Sequence, residues 1–432
     1  MTSDDRFGGT VSVWLEQRAG TGAPDYLDDI LGRTARTRQR PGWTSIERWP
    51  PVDISANRTV LPSRFPTRTF AILVVLGLVL AIALAIVAVG SRPRLPEPFG
   101  PARNGALAYV ADGDIYRLET ASGVPSLIVG GPTDDHAPVF SHDGSKLLFR
   151  RSTAPNLEQV VVASADGSNP RPVTDDLAEI GSVDWSPDSS KIAVAHADVD
   201  GGALSIVDAS GREPMRTLDI ADLQPVELIA WRPEEGGSLF FTAESQAGSG
   251  RIGIYAVGQD GSTVRQVAPP LPGGGVYGSP SLSADGALLT YSNWEPNVSD
   301  GLVDGWSHVL DIATGGDHQV RLSDQDAEVN GQFSPDGSRI VFERQRIMPD
   351  GDWDRQIVVG PADGDAGREI VTIGPPFGND EGLEYGFAFS PDGQQVVLTI
   401  GPTTQLYDAT DGTRIGDPLS IAGLPTYQRT AP

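Results

Sequence analysis

The sequence predicts an all-β protein of the β-propeller type with one N-terminal transmembrane helix. Three observations predict it: a motif that recurs six times, an abundance of turn residues, and one long uncharged apolar run. The 432 residues include 51 Gly and 35 Pro but no Cys. Such a composition is typical of many short strands joined by tight turns. The lack of Cys excludes disulfides, thiolate zinc sites and cysteine nucleophiles.

The recurring motif consists of an aromatic residue or Leu, a Ser-x-Asp-Gly turn or a close variant, and an alternating apolar run. Asp-Gly favours the positive φ of a tight hairpin, and we expect the aromatic ring to pack between blades. Successive turn acids are 45 to 56 residues apart, close to the length of a four-stranded blade. The six copies begin at Phe140, Trp185, Trp231, Leu282, Phe333 and Phe389.

The segments between the copies predict the outer half of each blade. Each contains two short strands around an Ala-Asp-Gly-like turn, as in Gln159–Val173. Gly105–Val129 supplies three strands without an inner one, and Leu424–Arg429 is left over at the other end of the chain. We expect that tail to be the missing inner strand and to close the ring. This predicts seven four-stranded blades, with six blades and loose ends as the alternative.

Two stretches, FSPDGSRIVF from Phe333 and DGDIYRLE from Asp112, resemble the WD40-like repeats of TolB-type propellers. The resemblance covers residues 105–432. It departs in copies three and four, where the turn is Pro-Glu-Glu-Gly or Ala-Asp-Gly and Leu282 replaces the aromatic. It implies the fold but no chemistry, because propellers carry many functions.

An uncharged run of twenty residues, from Phe70 to Val89, predicts a membrane span. At about 1.5 Å per residue it is long enough to cross a bilayer. An excess of Arg between residues 33 and 48 favours a cytoplasmic N-terminus. We therefore predict a single-pass cell-membrane protein with an extracytoplasmic propeller. Its parts are a cytoplasmic segment (1–68), a transmembrane helix (69–90), a Pro-rich stalk (91–104) and the propeller (105–432).

Charge is distributed unevenly along the chain. The net charge is -25 overall but +2 within residues 1–68, so the remainder carries -27. A domain this acidic repels nucleic acid, and we predict no nucleic-acid partner.

The cytoplasmic segment contains one predicted helix over residues 24–38. Tyr26, Leu27, Ile30 and Leu31 share one face, which suits a cytoplasmic protein partner. The layout resembles membrane-tethered anti-sigma factors, but their His-Cys-Cys zinc motif is absent because residues 1–68 contain neither His nor Cys. The alternative is an anchor tail with interfacial Trp and Arg.

Two segments, Ser292–Trp306 and Glu343–Arg355, are predicted to be long loops on the face opposite the tight turns. Long loops on a rigid scaffold are the usual place for binding. Exposed Trp suits a protein or glycan surface, although these Trp can instead cover the ends of their own blades. The candidate binding residues are Trp294, Trp306, Trp353, Arg344 and Arg346.

A set of acids precedes the inner-strand aromatics and is predicted to face the channel. Such a ring can bind a cation or a basic peptide, or its members can be solvated loop acids. The five are Asp135, Glu179, Glu227, Glu328 and Glu384.

Nothing in the sequence predicts catalysis. There is no Gly-x-Ser-x-Gly elbow and no phosphate loop, and no pair of His has metal-ligand spacing. Asp350 begins a calcium-like pattern that fails at its sixth and twelfth positions. We predict no catalytic residues, no cofactor, no metal and no enzymatic activity. The leading function is a binding module for a protein or glycan in the cell envelope. A transmembrane regulator with the propeller as sensor is the alternative, and a propeller enzyme is a second one.

Overall fold

A computed structural model describes residues 96–431, except 120–122, 199–200, 221–222, 232–237, 246–250, 271–275, 297–302, 321–325, 348–352, 363–366 and 375–384. The predicted cytoplasmic helix and membrane span lie outside the described residues. Within those that are described, no helix is long and apolar enough to cross a membrane. Residues 92–432 form one compact unit, and its described part is all β.

The strands fall into successive antiparallel groups of four. In each complete group the first strand ends at the recurring motif. The first half comprises β1 (Arg103–Ala111), β2 (Asp114–Leu118), β3 (Ser126–Val129), β4 (Asp135–Phe140), β5 (Lys146–Ala154), β6 (Leu157–Ser164), β7 (Arg171–Pro172), β8 (Leu177–Trp185), β9 (Lys191–Asp198), β10 (Gly201–Asp208), β11 (Arg216–Thr217), β12 (Gln224–Trp231), β13 (Ser238–Glu244), β14 (Ile252–Gly258) and β15 (Arg265–Ala268).

The second half comprises β16 (Val276–Leu282), β17 (Leu288–Pro296), β18 (Val303–Asp311), β19 (Asp317–Gln319), β20 (Asp326–Phe333), β21 (Arg339–Ile347), β22 (Trp353–Pro361), β23 (Arg368–Gly374), β24 (Tyr385–Phe389), β25 (Gln395–Ile400), β26 (Thr403–Asp408), β27 (Arg414–Leu419) and β28 (Thr426–Thr430). The groups β4–β7, β8–β11, β12–β15, β16–β19, β20–β23 and β24–β27 each pair in sequence order, and the remaining group has the order β28-β1-β2-β3.

The predicted pairing of the C-terminal tail with the first strand is confirmed. β28 pairs antiparallel with β1, with Leu107 opposite Tyr427 and Ala108 opposite Thr426. We call this β28–β1 pairing the seam. Side chains link it to the groups of strands on either side: Gln428 donates to the carbonyl of Gly144 at 2.7 Å, and Asn104 donates to Asp392 at 3.0 Å. The two ends of the described chain therefore complete one sheet.

The recurring turn is held by a fixed set of hydrogen bonds. In the copy at Phe333, the Ser334 hydroxyl donates to Asp336 and accepts from the amide of Arg339 at 3.0 Å. Asp336 in turn accepts from the amide of Ser338, and Gly337 adopts the left-handed φ of 69°. The same Ser–Asp contact recurs at Ser141, Ser186, Ser283 and Ser390. Ser and Asp recur in the motif because together they satisfy the backbone donors of the turn.

The core lies between successive groups of strands. Trp185 and Trp231 are fully buried, and Trp185 packs against Leu148 and Val160 of the preceding group. This confirms the predicted inter-blade position of the aromatic residue. Basic side chains add contacts at the turns: Lys146 donates to the carbonyl of Ser189 at 2.7 Å.

Antiparallel order places the connections on two faces. The turns from first to second and from third to fourth strand of each group share one face, which we call the turn face. The ends of the hairpins between second and third strands lie on the other, which we call the hairpin face. The predicted binding residues belong to the hairpin face.

Candidate functional site

The two segments predicted to be long loops are largely strand. β17 and β18 pair along their whole length, from Leu288–Asp311 to Pro296–Val303, and β21 and β22 pair from Arg339–Pro361 to Ile347–Trp353. The loop prediction is therefore wrong for most of both segments. Asn293, Pro296, Asp304 and Gly305 are residue types typical of loops, but the cross-strand register places them in β17 and β18.

The three predicted Trp residues lie on these hairpins. Trp306 pairs with Asn293 and is partly buried. The backbones of Trp294 and Trp353 lie in β17 and β22, whereas their side chains lie outside the described set. Trp294 and Trp306 belong to one hairpin and Trp353 to another. The three Trp residues therefore all lie on the hairpin face, but on two neighbouring hairpins.

The two predicted arginines differ in their surroundings. Arg344 lies opposite Glu328 across β20 and β21, with 3.6 Å from its Nε to the carboxylate of Glu328 and 3.9 Å to that of Asp326. Arg346 is exposed. Arg346 is therefore available to a partner, whereas Arg344 is committed to an intramolecular pair.

Asp135 forms a second ion pair at the equivalent position of another blade. Its buried carboxylate accepts from Arg151 Nε at 2.7 Å and from Nη2 at 2.9 Å. Asp135 precedes Phe140 by five residues, as Glu328 precedes Phe333, and both acids are fully buried. Two members of the predicted ring are therefore paired with arginine on the same sheet.

The other ring members have different positions. Glu179 and Glu227 are exposed on the inner strands β8 and β12, and Glu384 lies outside the described residues. The described acids thus do not form a set of equivalent carboxylates. No group of three His, Asp or Glu residues in the described part of the chain has the arrangement of a metal site.

A buried carboxylate that the sequence did not single out lies beside these pairs. Glu343 accepts from Gln345 at 3.0 Å, from Asn330 at 3.3 Å and from the hydroxyl of Tyr385. Arg355 lies 2.9 Å from it, with its guanidinium 4.3 Å from the centre of the Tyr385 ring. We call these five residues the Glu343 cluster. It joins β20, β21 and β22 to β24 of the next group.

The electrostatics of the Glu343 cluster favour the neutral form of the Tyr385 phenol. Burial, and then the adjacent charge of Glu343, raise the pKa of Tyr385. Tyr385 is therefore a hydrogen-bond donor at neutral pH. The Glu343 carboxylate is fully buried and Arg355 is 16% exposed. A ligand can therefore contact the guanidinium of Arg355 but not the carboxylate of Glu343. No sequence pattern marks the cluster, because register brings these residues together from four strands.

A further cluster lies on β17–β19. The Tyr291 hydroxyl and His308 Nδ1 both donate to Asp317, at 2.9 and 3.2 Å. Burial opposes ionisation of Asp317, but these hydrogen bonds outweigh it and lower its pKa. Because a carboxylate only accepts, His308 Nδ1 carries the proton of this hydrogen bond.

One cleft on the hairpin face lies beside β10 and β11. Its volume is about 170 Å³, and its lining includes Gly202, Leu204, Thr217, Leu218 and Gln224. Pockets that enclose small ligands usually measure roughly 300–1,000 Å³. The cleft is therefore too small to be the main site.

Comparison with known proteins identifies the fold and no family. No protein-family model and no curated protein matches the sequence. Similar solved structures include a prolyl endopeptidase (13% identity, TM-score 0.54, 76% of this chain and 51% of that one). They also include oligogalacturonate lyase from Vibrio parahaemolyticus (14%, 0.52, 74% and 90%) and TolB from Acinetobacter baumannii (17%, 0.45, 74% and 81%). The chain spans about half the length of the prolyl endopeptidase.

At these identities the likeness concerns the fold alone. The protein has an all-β fold of the propeller type, and TolB proteins are among its structural neighbours. The prediction that it is not an enzyme is corrected, because a prolyl endopeptidase and an oligogalacturonate lyase share the fold. The missing serine-hydrolase motif excludes one mechanism only, since polar groups assembled by strand register, such as the Glu343 cluster, leave no linear motif.

Proposed function

We propose that this protein is a membrane-anchored, seven-bladed propeller that binds a protein partner through its hairpin face. The observation that carries the proposal is the projection of two adjacent hairpins. β17, β18, β21 and β22 have nine residues each. The β5–β6 hairpin has nine and eight, β9–β10 eight each, β13–β14 seven each and β25–β26 six each, so the two hairpins that carry the predicted Trp residues are the longest of those described. The seven groups of four strands support the blade count.

The anchoring part of the proposal rests on the sequence. The apolar run at 69–90 supplies the span, and the Arg distribution supports a cytoplasmic N-terminus and an extracytoplasmic propeller. Tags at the two termini and external protease on intact cells test it. Loss of the C-terminal tag alone is the expected result, and loss of the N-terminal tag alone would reverse the orientation.

The binding part is tested with two charge reversals of the same size. Arg346 is exposed on the hairpin face, and Arg212 is exposed beside the turn that follows β10 on the turn face. Cross-linked complexes of the full-length chain are purified from native membranes and quantified. We expect R346E to lose its protein partner and R212E to retain it. Equal retention by both variants would contradict the assignment of the face, and retention of glycan alone would replace protein by glycan as the partner.

Enzymatic activity is the second candidate, and the Glu343 cluster favours it. A buried carboxylate, a tyrosine donor and a cation within one cluster can bind an anionic substrate and transfer a proton. The substrates to try are oligogalacturonates and prolyl peptides, as named for the similar structures. Cleavage that is abolished in a folded Y385F variant would support this candidate. If neither substrate is cleaved, the similar structures give no support for enzymatic activity.

A further inference from the structure

The segment that precedes β1 packs across the turn face. We call residues 96–102 the strap; the sequence assigns them to the stalk. Pro96 and Ala102 are buried at its ends. The amide of Ala102 donates to the carbonyl of Pro391 at 2.8 Å, in the turn between β24 and β25. The C-terminal end of the strap is therefore fixed to the last group of strands.

The middle of the strap contacts the second group. The ring of Phe99 lies 4.6 Å from the ring of His142, at 46°. His142 belongs to the turn between β4 and β5, and its Nε2 lies 3.2 Å from the carbonyl of Trp185. The strap thus reaches from the turn before β25 to the turn before β5, on either side of the β28–β1 seam.

The strap also binds the closing strand directly. Arg429 of β28 donates through Nη2 to the carbonyls of Glu97 at 3.0 Å and Gly100 at 2.7 Å. Burial lowers the pKa of Arg429, so its desolvated guanidinium depends on these acceptors. A partly buried cation that loses its hydrogen bonds is destabilised. Removing the strap therefore destabilises β28, because Arg429 loses both acceptors.

The closing strand has little stability of its own. β28 has five residues, all of them partly exposed, and its pairing with β1 shifts register between Asn104 and Leu107. Short, irregular and half-buried strands are the first to open in a folded protein. The contacts of the strap thus fall on the pairing that joins the two ends of the described chain.

We propose that the strap is a lock on ring closure: docked, it holds β28 against β1, and displaced, it releases the seam. Because the strap is continuous with the chain that precedes Pro96, anything that pulls or captures that upstream segment acts on the seam. The device is independent of the ligand that the hairpin face binds.

Amide hydrogen exchange of the full-length chain tests the lock. Phe99→Ala removes the ring contact of the strap with His142 and changes no residue of β28 or β1. Arg429→Met removes the hydrogen bonds from β28 to the strap. The control is Arg171→Met, since Arg171 also donates to a backbone carbonyl, that of Ala209 at 2.9 Å, but lies away from the seam. We expect exchange in β28 and β1 to accelerate roughly tenfold or more in F99A and R429M, as for a lost hydrogen bond to a charged group, and not in R171M.

Two outcomes would overturn the proposal. The first is a folded F99A protein whose β28 amides exchange at the wild-type rate, whatever R429M does. The second is acceleration of β28 by R171M to the same extent, because the seam would then respond to any loss of stability. F99A leaves every residue of the ring closure intact, so the test does not depend on R429M folding.

Discussion

At the residue scale, the described members of the predicted acidic ring fall into two kinds: acids paired with an arginine and acids exposed to solvent. Asp135 and Glu328 each face an arginine on the neighbouring strand, at the same position of their groups. Sequence spacing identified the acids, but the pairing depends on register: Arg151 is sixteen residues from Asp135. Sequence spacing predicts which residues occupy equivalent positions in different blades. Only the pairing between strands shows which acidic side chain lies beside which arginine.

The first prediction concerns this division. Asp135→Asn keeps the shape but leaves Arg151 without its buried counter-charge. We expect the free energy of unfolding to fall by about 2 kcal/mol. Glu179→Gln, at an exposed position, should change it by less than about 0.5 kcal/mol. Chemical denaturation measures both, and equal effects would show that the buried pair has no special role.

A second prediction follows from the turn after β10. The hydroxyl of Ser210 and the amides of Ser210, Arg212 and Glu213 lower the pKa of Asp208 to about 2. The unfolded value is near 3.9, so the contribution of Asp208 to stability is present above about pH 4 and is lost as pH falls toward 2. Asp208→Asn should cost about 1 kcal/mol at neutral pH, after allowance for solvent screening. Thermal unfolding of both proteins across this range should show the difference vanish on acidification; a difference that persists at pH 2 would contradict the assignment.

At the element scale, the turns were predictable and the long hairpins were not. Ser-x-Asp-Gly fixes its own geometry through local hydrogen bonds, so the sequence is sufficient to predict it. The lengths over which β17 pairs with β18 and β21 with β22 are set by cross-strand register, which residue types alone do not reveal. The Glu343 cluster was missed for the same reason.

The turn glycines give the third prediction. Gly144 and Gly337 occupy the same turn position, with φ of 67° and 69°. A Cβ at Gly144 would lie 1.9 Å from the carbonyl oxygen of Arg429, whereas at Gly337 the nearest atom, of Ser283, is 3.9 Å away. Gly337→Ala should therefore cost only the left-handed strain, roughly 1–2 kcal/mol.

Gly144→Ala should cost clearly more, because β28 must move to admit the methyl group. Differential scanning calorimetry of the two variants gives the comparison. Similar melting temperatures for both would mean that the contact between Gly144 and β28 is not maintained in solution.

At the scale of the whole molecule, the ring depends on a strand from the far end of the chain. The tail was predicted to supply it, because the first blade lacked an inner strand, and the pairing of β28 with β1 agrees. The strap was not predicted, since a Pro-rich segment is also typical of a spacer. Its contacts depend on Arg429, which is 329 residues from Gly100.

The fourth prediction concerns this closure. Deleting residues 424–432 removes β28 and exposes the edge of β1. We expect a lower melting temperature and association through the open edge, as for unpaired strands in general. Size-exclusion chromatography with light scattering and a thermal melt measure the two effects. A monomer with the wild-type melting temperature would show that β28 does not close the ring.

The central claim is that the hairpin face, and not the turn face, binds the partner. The most direct measurement is site-specific photo-cross-linking in native membranes, with the cross-linker at position 354, opposite Arg346 on the hairpin face, or at position 169, exposed on the turn face. We predict a discrete cross-linked protein from position 354 and none from position 169. Cross-links from position 169 alone would contradict the account and move the binding site to the face that carries the strap.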